Sequence, residues 1–375
     1  MSRSITSILK SAILAVWVGI NVLVALCTLL AAYGGYIPPR IFPLAQLANM
    51  TFSGWVILSA ILLAVNFIAV KRLTVMFGVT MLLCAGPLLT VFPINFNLGS
   101  PTPEEEKTSF SVLSYNVLGF RDNEEATPSW GNRTLSYIIN SGADIVCLQE
   151  AAPLHGKGAY GNKAQRDSLA AIYPYYTELP DRAGETLLSK YPFKLIDTPQ
   201  PDWGSGHYTA YEVNIDGHPT TVVNCHLQSI GLTPDDKELY RELTDKDTRP
   251  TKSELTKVKN DLIGKLSNAF ITRAEQAQSI KDFLTGRGDN VILVGDFNDV
   301  PGSYAYRTIK SCGLRDAYSD CAFGPIITYN TNRFYFRIDH ILYRGNFKAA
   351  EMKRGNIRSS DHYPLTATFI RDNKE

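Results

Sequence analysis

Charged side chains are missing from three stretches near the start of this 375-residue chain: residues 12–33, 52–70 and 73–95 contain no Asp, Glu, Lys or Arg. A water-facing surface of that length is excluded. At a rise of about 1.5 Å per residue, runs of about 20 apolar residues match a hydrocarbon core of roughly 30 Å, so three transmembrane helices are expected. A cleaved signal peptide, with one apolar region of roughly 7–15 residues, does not account for three longer runs. Cysteine is scarce too. The six cysteines include no pair two residues apart and no His/Cys cluster at zinc-ligand spacing, which argues against a structural zinc site. Excess charge of one sign is also absent: 37 basic against 36 acidic residues give a formal net charge of +1, and no basic stripe of the kind that grips nucleic acid stands out. The lysines of 251–265 alternate with Glu254 and Asp261 and read as a solvated helix face. No internal repeat or low-complexity tract is present.

What charge the first third does carry sets an orientation. Arg3 and Lys10 precede the first run, and Lys71-Arg72 forms a tight charged hairpin between the second and third, whereas the first loop offers only Arg40. The positive-inside rule puts the N-terminus and the hairpin in the cytoplasm. Three crossings then leave the rest of the chain on the other face of a bacterial inner membrane, the periplasmic side. Asn66 is the one strongly polar side chain in the second run.

The expected division is a membrane anchor over 1–99, a proline-bearing linker over 100–109 and a soluble domain over 110–375. Within that domain strand-like runs begin at Phe110 and recur at 144–149, 186–189, 208–215, 220–227, 291–295, 337–343 and 364–370. Helix-like stretches at 133–141, 163–173, 252–285 and 303–311 lie between some of them. Alternation of this kind predicts an α/β or α+β sandwich with the site at one edge of its sheets. The charged stretch from Asp235 to Arg249 is expected at the rim of the cleft. Of the cysteines, Cys27, Cys84, Cys147 and Cys225 fall in apolar runs and pack as small hydrophobes. Cys312 and Cys321 bracket a loop that either a disulfide closes or two free thiols flank.

Polar groups able to serve a phosphoester cluster at the strand ends. Cleaving a phosphoester needs a hard cation, a group that activates water, and donors for the transition state. Glu150, after Ile145-Val-Cys-Leu-Gln, suits Mg²⁺ (with Mn²⁺ as a substitute), which takes few carboxylates and several waters. Asn116 suits a phosphate oxygen or a metal-bound water. Asp296 and Asn298 lie two apart, so in an extended chain both face one place while Phe297 packs the other way; the carboxylate takes a proton from water and the amide orients it. Asp299 reads as a turn residue before Pro301. His226 and His362 suit proton transfer or phosphate binding, with Asp339 able to fix a ring tautomer and Asp361 suited to a metal. His155, His207, His218 and His340 read as structural.

These segments, Ser114-Tyr-Asn-Val117, Gln149-Glu150, Leu188-Ser-Lys-Tyr-Pro192, Asn224-Cys-His-Leu227, Gly295-Asp-Phe-Asn-Asp299, Arg337-Ile-Asp339 and Ser360-Asp-His362, occur in an order that resembles the endonuclease/exonuclease/phosphatase superfamily. That superfamily includes deoxyribonuclease I, exonuclease III, neutral sphingomyelinases and inositol polyphosphate 5-phosphatases. The likeness runs from about Phe110 to Ile370. It implies a four-layer αββα sandwich with Mg²⁺ at one end of paired sheets, Glu150 as metal ligand with Asn116 beside it, Asp296 and Asn298 handling the water, and His362 coupled to Asp339 as base or phosphate clamp. His226 resembles the second histidine of the deoxyribonuclease and sphingomyelinase branches, with Glu185 as its orienting partner. The DNA-gripping basic loops of nuclease members and the membrane-inserting hairpin of bacterial sphingomyelinases are not evident. The leading expectation is a membrane-tethered phosphodiesterase or nuclease acting on nucleic acid or a small phosphodiester. A lipid phosphodiesterase or phosphatase is the second, and an inactive membrane-anchored binding protein the third. Membrane lipid is the expected partner of the helices, and no obligate protein partner is implied.

Overall fold

The computed structural model describes residues 5–96, 101–122, 131–154, 161–177, 184–199, 207–231, 252–331 and 334–372. The expected cleft rim at 235–249 and His155 lie outside the described residues, as does part of the linker.

Helix α1 (Ile5–Tyr33) is followed by a short α2 (Leu44–Met50), then α3 (Phe52–Ala69), α4 (Lys71–Leu83) and α5 (Ala85–Val91). Two of these, α1 and α3, are long and apolar enough by themselves to cross a membrane. The third expected helix, over 73–95, is instead α4 and α5, bent by 61° where they meet. Pro87 accounts for the break: it has no N–H to give the Leu83 carbonyl one turn back, and the Tyr33 hydroxyl donates to that carbonyl at 2.6 Å. Polar pairs join α1 to α3. Asn66 donates to Asn21 Oδ1 at 2.6 Å and accepts from Trp17 Nε1 at 3.0 Å, and the Thr28 and Ser59 hydroxyls meet at 2.7 Å. Outward side chains such as Ile13, Ile57 and Ile68 are exposed apolar surface, the pattern of helices that pack through polar contacts and face lipid.

In the remainder, apolar residues recur on both faces of the central strands, so each sheet has to be covered twice. One six-stranded sheet runs in the order β13 (Phe347–Arg354), β14 (Leu365–Arg371), β1 (Ser109–Asn116), β2 (Ile145–Ala151), β4 (Gly184–Ser189), β3 (Tyr175–Thr177). The other runs β5 (Phe193–Asp197), β6 (His207–Ile215), β7 (His218–His226), β8 (Val291–Asp296), β12 (Asp339–Arg344), β9 (Arg315–Asp316). A small hairpin, β10 (Tyr329–Thr331) and β11 (Phe334–Phe336), stands apart. Val112, Cys147, Val222 and Ile292 join one core between the sheets. Their strand neighbours turn the other way. Leu113 and Val146 pack with Leu135 and Leu169, from α6 (Arg133–Asn140) and α7 (Lys163–Ile172). Val223 and Leu293 pack with Ala277 and Ile309, from α8 (Lys252–Leu284) and α9 (Tyr304–Lys310). The result is the expected αββα sandwich.

All six cysteines are free thiols. Of the two alternatives for Cys312 and Cys321 the unpaired one holds: Cys321 lies on α10 (Ala317–Cys321) with its thiol directed to the Ala317 carbonyl at 3.0 Å, while Cys312 packs against the helix-side core of the second sheet.

Two parallel pairs, β1 with β2 and β7 with β8, fix where the chemistry can sit. Their carboxyl ends carry Asn116, Glu150, His226 and Asp296 to one end of the sandwich. Antiparallel β12 begins there, its Asp339 in register with Asp296.

Candidate active site

Three backbone distortions sharpen that convergence. Gly295 has φ +143°, and a Cβ on it would lie 1.8 Å from the Cys225 carbonyl oxygen, so only glycine lets β8 run this close to β7. Glu150 and Asn298 adopt φ of +52° and +51°, a region that side-chain-bearing residues seldom occupy and that concentrates at functional sites. The β2–β4 register shifts between Leu148 and Ala151. This bulge re-aims Glu150 toward the neighbouring strand ends.

Asp296 is the hub, nearly fully buried. Its Oδ1 accepts the Asn298 backbone N–H at 2.8 Å. Its Oδ2 accepts from Asn116 Nδ2 at 3.1 Å and Asn298 Nδ2 at 3.3 Å, and lies 3.5 Å from His362 Nε2 and 3.7 Å from His226 Nε2. Asn116 also donates to Glu150 Oε1 at 3.0 Å, and His226 Nε2 lies 3.6 Å from the same oxygen. Behind His362, both Asp339 oxygens face Nδ1 at 3.1 and 2.9 Å, while Tyr329 meets the ring edge-on at 5.0 Å. Burial opposes charge on the His362 ring, but the carboxylates of Asp339, Asp296 and Asp361 outweigh it and hold its pKa up at about 10. Asp361 is itself pushed up by burial and by the charges of Glu150 and Asp296, with His362 pulling against them.

All eight residues singled out in the sequence, Asn116, Glu150, His226, Asp296, Asn298, Asp339, Asp361 and His362, fall in this region. Asp296, Asp339 and His362 form a group whose ligand atoms lie within 4.8 Å of one another. The carboxylates expected to take the metal, Glu150 and Asp361, flank that group. The donor set, carboxylate and amide oxygens with imidazole, fits a hard divalent cation, and the buried His226 Nε2 has no hydrogen-bond partner.

Other residues prove to matter. Gln149 Nε2 donates to Asn224 Oδ1 at 2.7 Å and Asn224 Nδ2 to the Leu148 carbonyl at 2.9 Å, a polar clasp joining the two sheets directly behind Glu150 and His226. Asp299, expected as a turn residue, is buried 3.4 Å from Arg273 Nε of α8, tying the loop after Asp296 to that helix. Thr328 Oγ1 accepts the N–H groups of Ile338 and Asp339 at 3.0 and 3.1 Å, and Ser360 Oγ donates to the Asn116 carbonyl at 2.8 Å. A polar residue inside an apolar strand run was the available signal for Asn224. Arg273 had none, because its partner lies in another element. Arg337 pairs with Asp316, away from the site. His340 is structural as expected, its Nε2 3.0 Å from the Asp299 carbonyl and its pKa pushed down to about 3 by burial and by the charge of Arg337. Glu185 is buried on β4 and His218 is exposed at the β6–β7 turn.

Residues 113–362 match the model of the endonuclease/exonuclease/phosphatase family. The chain belongs to that family. Its members are phosphoester hydrolases. Residues 12–91 match a domain of unknown function, DUF8431. No curated protein matches the chain. Similar solved structures include an endonuclease/exonuclease/phosphatase family protein from Bacteroides thetaiotaomicron, 18% identical over 72% of this chain and 97% of that one with a TM-score of 0.44. A second, from Beutenbergia cavernae, is 17% identical over 70% and 72% of the two chains with a TM-score of 0.47. A mannosyl-6-phosphatase from B. thetaiotaomicron is 17% identical over 70% and 99% with a TM-score of 0.41.

Proposed function

We propose that this chain is a membrane-tethered, divalent-cation-dependent phosphoester hydrolase of phosphodiesterase or nuclease type. The observation that carries the reading is the convergence on Asp296 Oδ2, where two amides and two imidazoles meet one buried carboxylate backed by the His362–Asp339 couple. In this reading Glu150, Asn116 and Asp361 would hold the cation, Mg²⁺ with Mn²⁺ as substitute, which would supply neutralisation of phosphate charge. Asp296 takes the proton of the attacking water while Asn298 orients it. His226 and His362 face the position of phosphate oxygens, and His362, kept protonated by the carboxylates of Asp339, Asp296 and Asp361, is suited to donate to them.

The anchor reading, 1–99 before a catalytic domain beginning near residue 110, has support of its own. Arg40, in the loop after α1, pairs with Glu275, and Asn95, after α5, donates to the Ser319 and Ala322 carbonyls at 3.1 and 2.7 Å. Both contacts lie on the catalytic domain, so the ends of α1 and α5 share a side and the Lys71-Arg72 hairpin is at the other. In this reading the bent α4–α5 pair returns through the bilayer, with a cytoplasmic hairpin and a periplasmic catalytic domain. A lipid substrate is the second reading, supported by one feature, the exposed Phe323, Ile327 and Tyr335 beside the anchor.

The test is turnover by the full-length protein in detergent with Mg²⁺, offered plasmid DNA, sphingomyelin and an artificial bis-ester. Cleavage abolished by EDTA and restored by Mg²⁺ or Mn²⁺ is the expected result. No turnover of any substrate would reject the hydrolase reading in favour of a binding protein.

A further inference from the structure

We propose that the seam between the membrane helices and the catalytic domain binds the headgroup of an anionic phospholipid that carries free hydroxyls, such as a glycerol headgroup. The inference rests on the membrane reading above, and concerns a site apart from the catalytic one. A cavity of about 590 Å³ opens there, walled on one side by Tyr33, Tyr36 and Asn49 and on the other by Pro301, Arg307 and Lys310. None of the catalytic carboxylates lines it, and its two charged lining residues, Arg307 and Lys310, are both cationic.

Two buried polar atoms in that wall lack partners. Arg307 lies over the Tyr36 ring, its guanidinium carbon 3.3 Å from the centroid, and its Nε has no acceptor. Asn49 is almost fully buried; it gives Nδ2 to the Ala31 carbonyl at 2.9 Å, and its Oδ1 has no donor. A buried donor or acceptor left unpaired is destabilising, so the pair describes a ligand with both an anionic oxygen and a hydroxyl. Phosphate supplies the first to Arg307 and Lys310, since guanidinium geometry matches phosphate oxygens. A headgroup hydroxyl supplies the second to Asn49. The level is right for a headgroup as well: Tyr33 and Tyr36 sit at the end of α1, where aromatic residues gather at membrane interfaces, and Leu30, Leu83 and Leu89 leave exposed apolar surface on the adjoining helices for acyl chains.

Native mass spectrometry of the full-length protein in non-ionic detergent tests this, with short-chain phosphatidylglycerol, phosphatidic acid, phosphatidylcholine and inorganic phosphate as probes. Phosphatidylglycerol is expected to bind at least about tenfold more tightly than phosphatidylcholine. The Arg307→Gln/Lys310→Gln variant is expected to lose that preference, Arg307→Lys to keep most of it, and Asn49→Leu to erase the advantage of phosphatidylglycerol over phosphatidic acid. Equal binding of phosphatidylglycerol and phosphatidylcholine, or an unchanged preference in the double variant, overturns the proposal. Displacement of the lipid by inorganic phosphate at equal concentration would make the ligand a free anion and also overturn it. If the double variant fails to fold, Lys310→Gln on a half-exposed side chain decides by the same criterion. The readout is independent of catalysis: a chain that binds phosphatidylglycerol but cleaves nothing defeats the hydrolase reading alone.

Discussion

One carboxylate oxygen, Asp296 Oδ2, gathers most of the candidate chemistry, and the His362–Asp339 couple is the part of it most exposed to a decisive substitution. Removing the imidazole in His362→Ala is expected to lower turnover of an artificial bis-ester by about 10²–10⁴-fold, the usual range for a positioned proton-transfer or charge-stabilising group. Asp339→Asn should lose a large part of that while the circular dichroism spectrum of both variants stays native. Wild-type turnover in either would remove the couple from the site. His340 offers a test of stability instead. Its pKa of about 3 means that the folded ring stays neutral, whereas the unfolded chain takes up a proton near the ordinary value of 6.5. Its share of the stability is therefore whole above about pH 6.5 and is lost as pH falls toward 3. His340→Gln, which can still donate to the Asp299 carbonyl, is expected to flatten the decline in thermal midpoint between about pH 6 and 4; identical slopes would refute the assignment. At this scale the sequence pointed to polar residues at strand ends, and the fold brings those residues to one region. It was silent on Arg273, because a mid-helix arginine looks the same whether it faces water or a buried Asp299.

At the scale of elements, the narrow approach of β7 to β8 depends on Gly295. Gly295→Ala introduces a methyl group 1.8 Å from the Cys225 oxygen at a φ of +143°, which the ladder can relieve only by separating. A loss of at least about 3 kcal/mol in urea unfolding is expected, of the order seen when strain and lost packing combine; a stability unchanged from the parent would mean that the strands are not this close. The central strands were legible because Val, Ile and Leu run through them with polar residues only at their ends. So was α8, whose expected span 252–285 differs from Lys252–Leu284 by one residue. The edge strand β13, Phe347-Lys-Ala-Ala-Glu-Met-Lys-Arg354, was not, since an edge strand keeps much of one face in water and loses its apolar alternation. The break between α4 and α5 was missed for another reason. Hydropathy stays high through Gly86-Pro87, so composition alone reads one helix where backbone hydrogen bonding permits two.

At the scale of the whole molecule, the apolar N-terminal helices and the hydrolase domain meet over an extensive seam. Arg337 Nη1 donates to the Thr90 carbonyl at 3.2 Å and Tyr304 N–H to Gln46 Oε1 at 3.0 Å, and Gly35 comes close enough to Gly302 that a Cβ would lie 1.7 Å from its carbonyl oxygen. On the proposed membrane reading, an enzyme held in this way would keep one end toward the bilayer. The topology has a direct check. Alkaline phosphatase fused at the C-terminus is expected to be active and a cytoplasm-restricted reporter dark, with Lys71→Glu/Arg72→Glu shifting part of the population to the reverse orientation. An active cytoplasmic reporter in the parent would overturn the periplasmic assignment.

By itself the sequence determined the class of chemistry, the apolar N-terminal helices and the sandwich, because each follows from local regularities: uncharged runs of bilayer length, polar residues closing apolar strands, and short motifs in a fixed order. Only the tertiary structure decided which groups share a site and how the two parts of the chain meet. A carboxylate on β8 and amides and imidazoles on β1, β7 and the segment before β14 become neighbours through parallel pairing and sheet stacking, and Arg307 meets Tyr36 through the packing of elements far apart in the chain. Those distances depend on how elements stack, and no stretch of sequence records them.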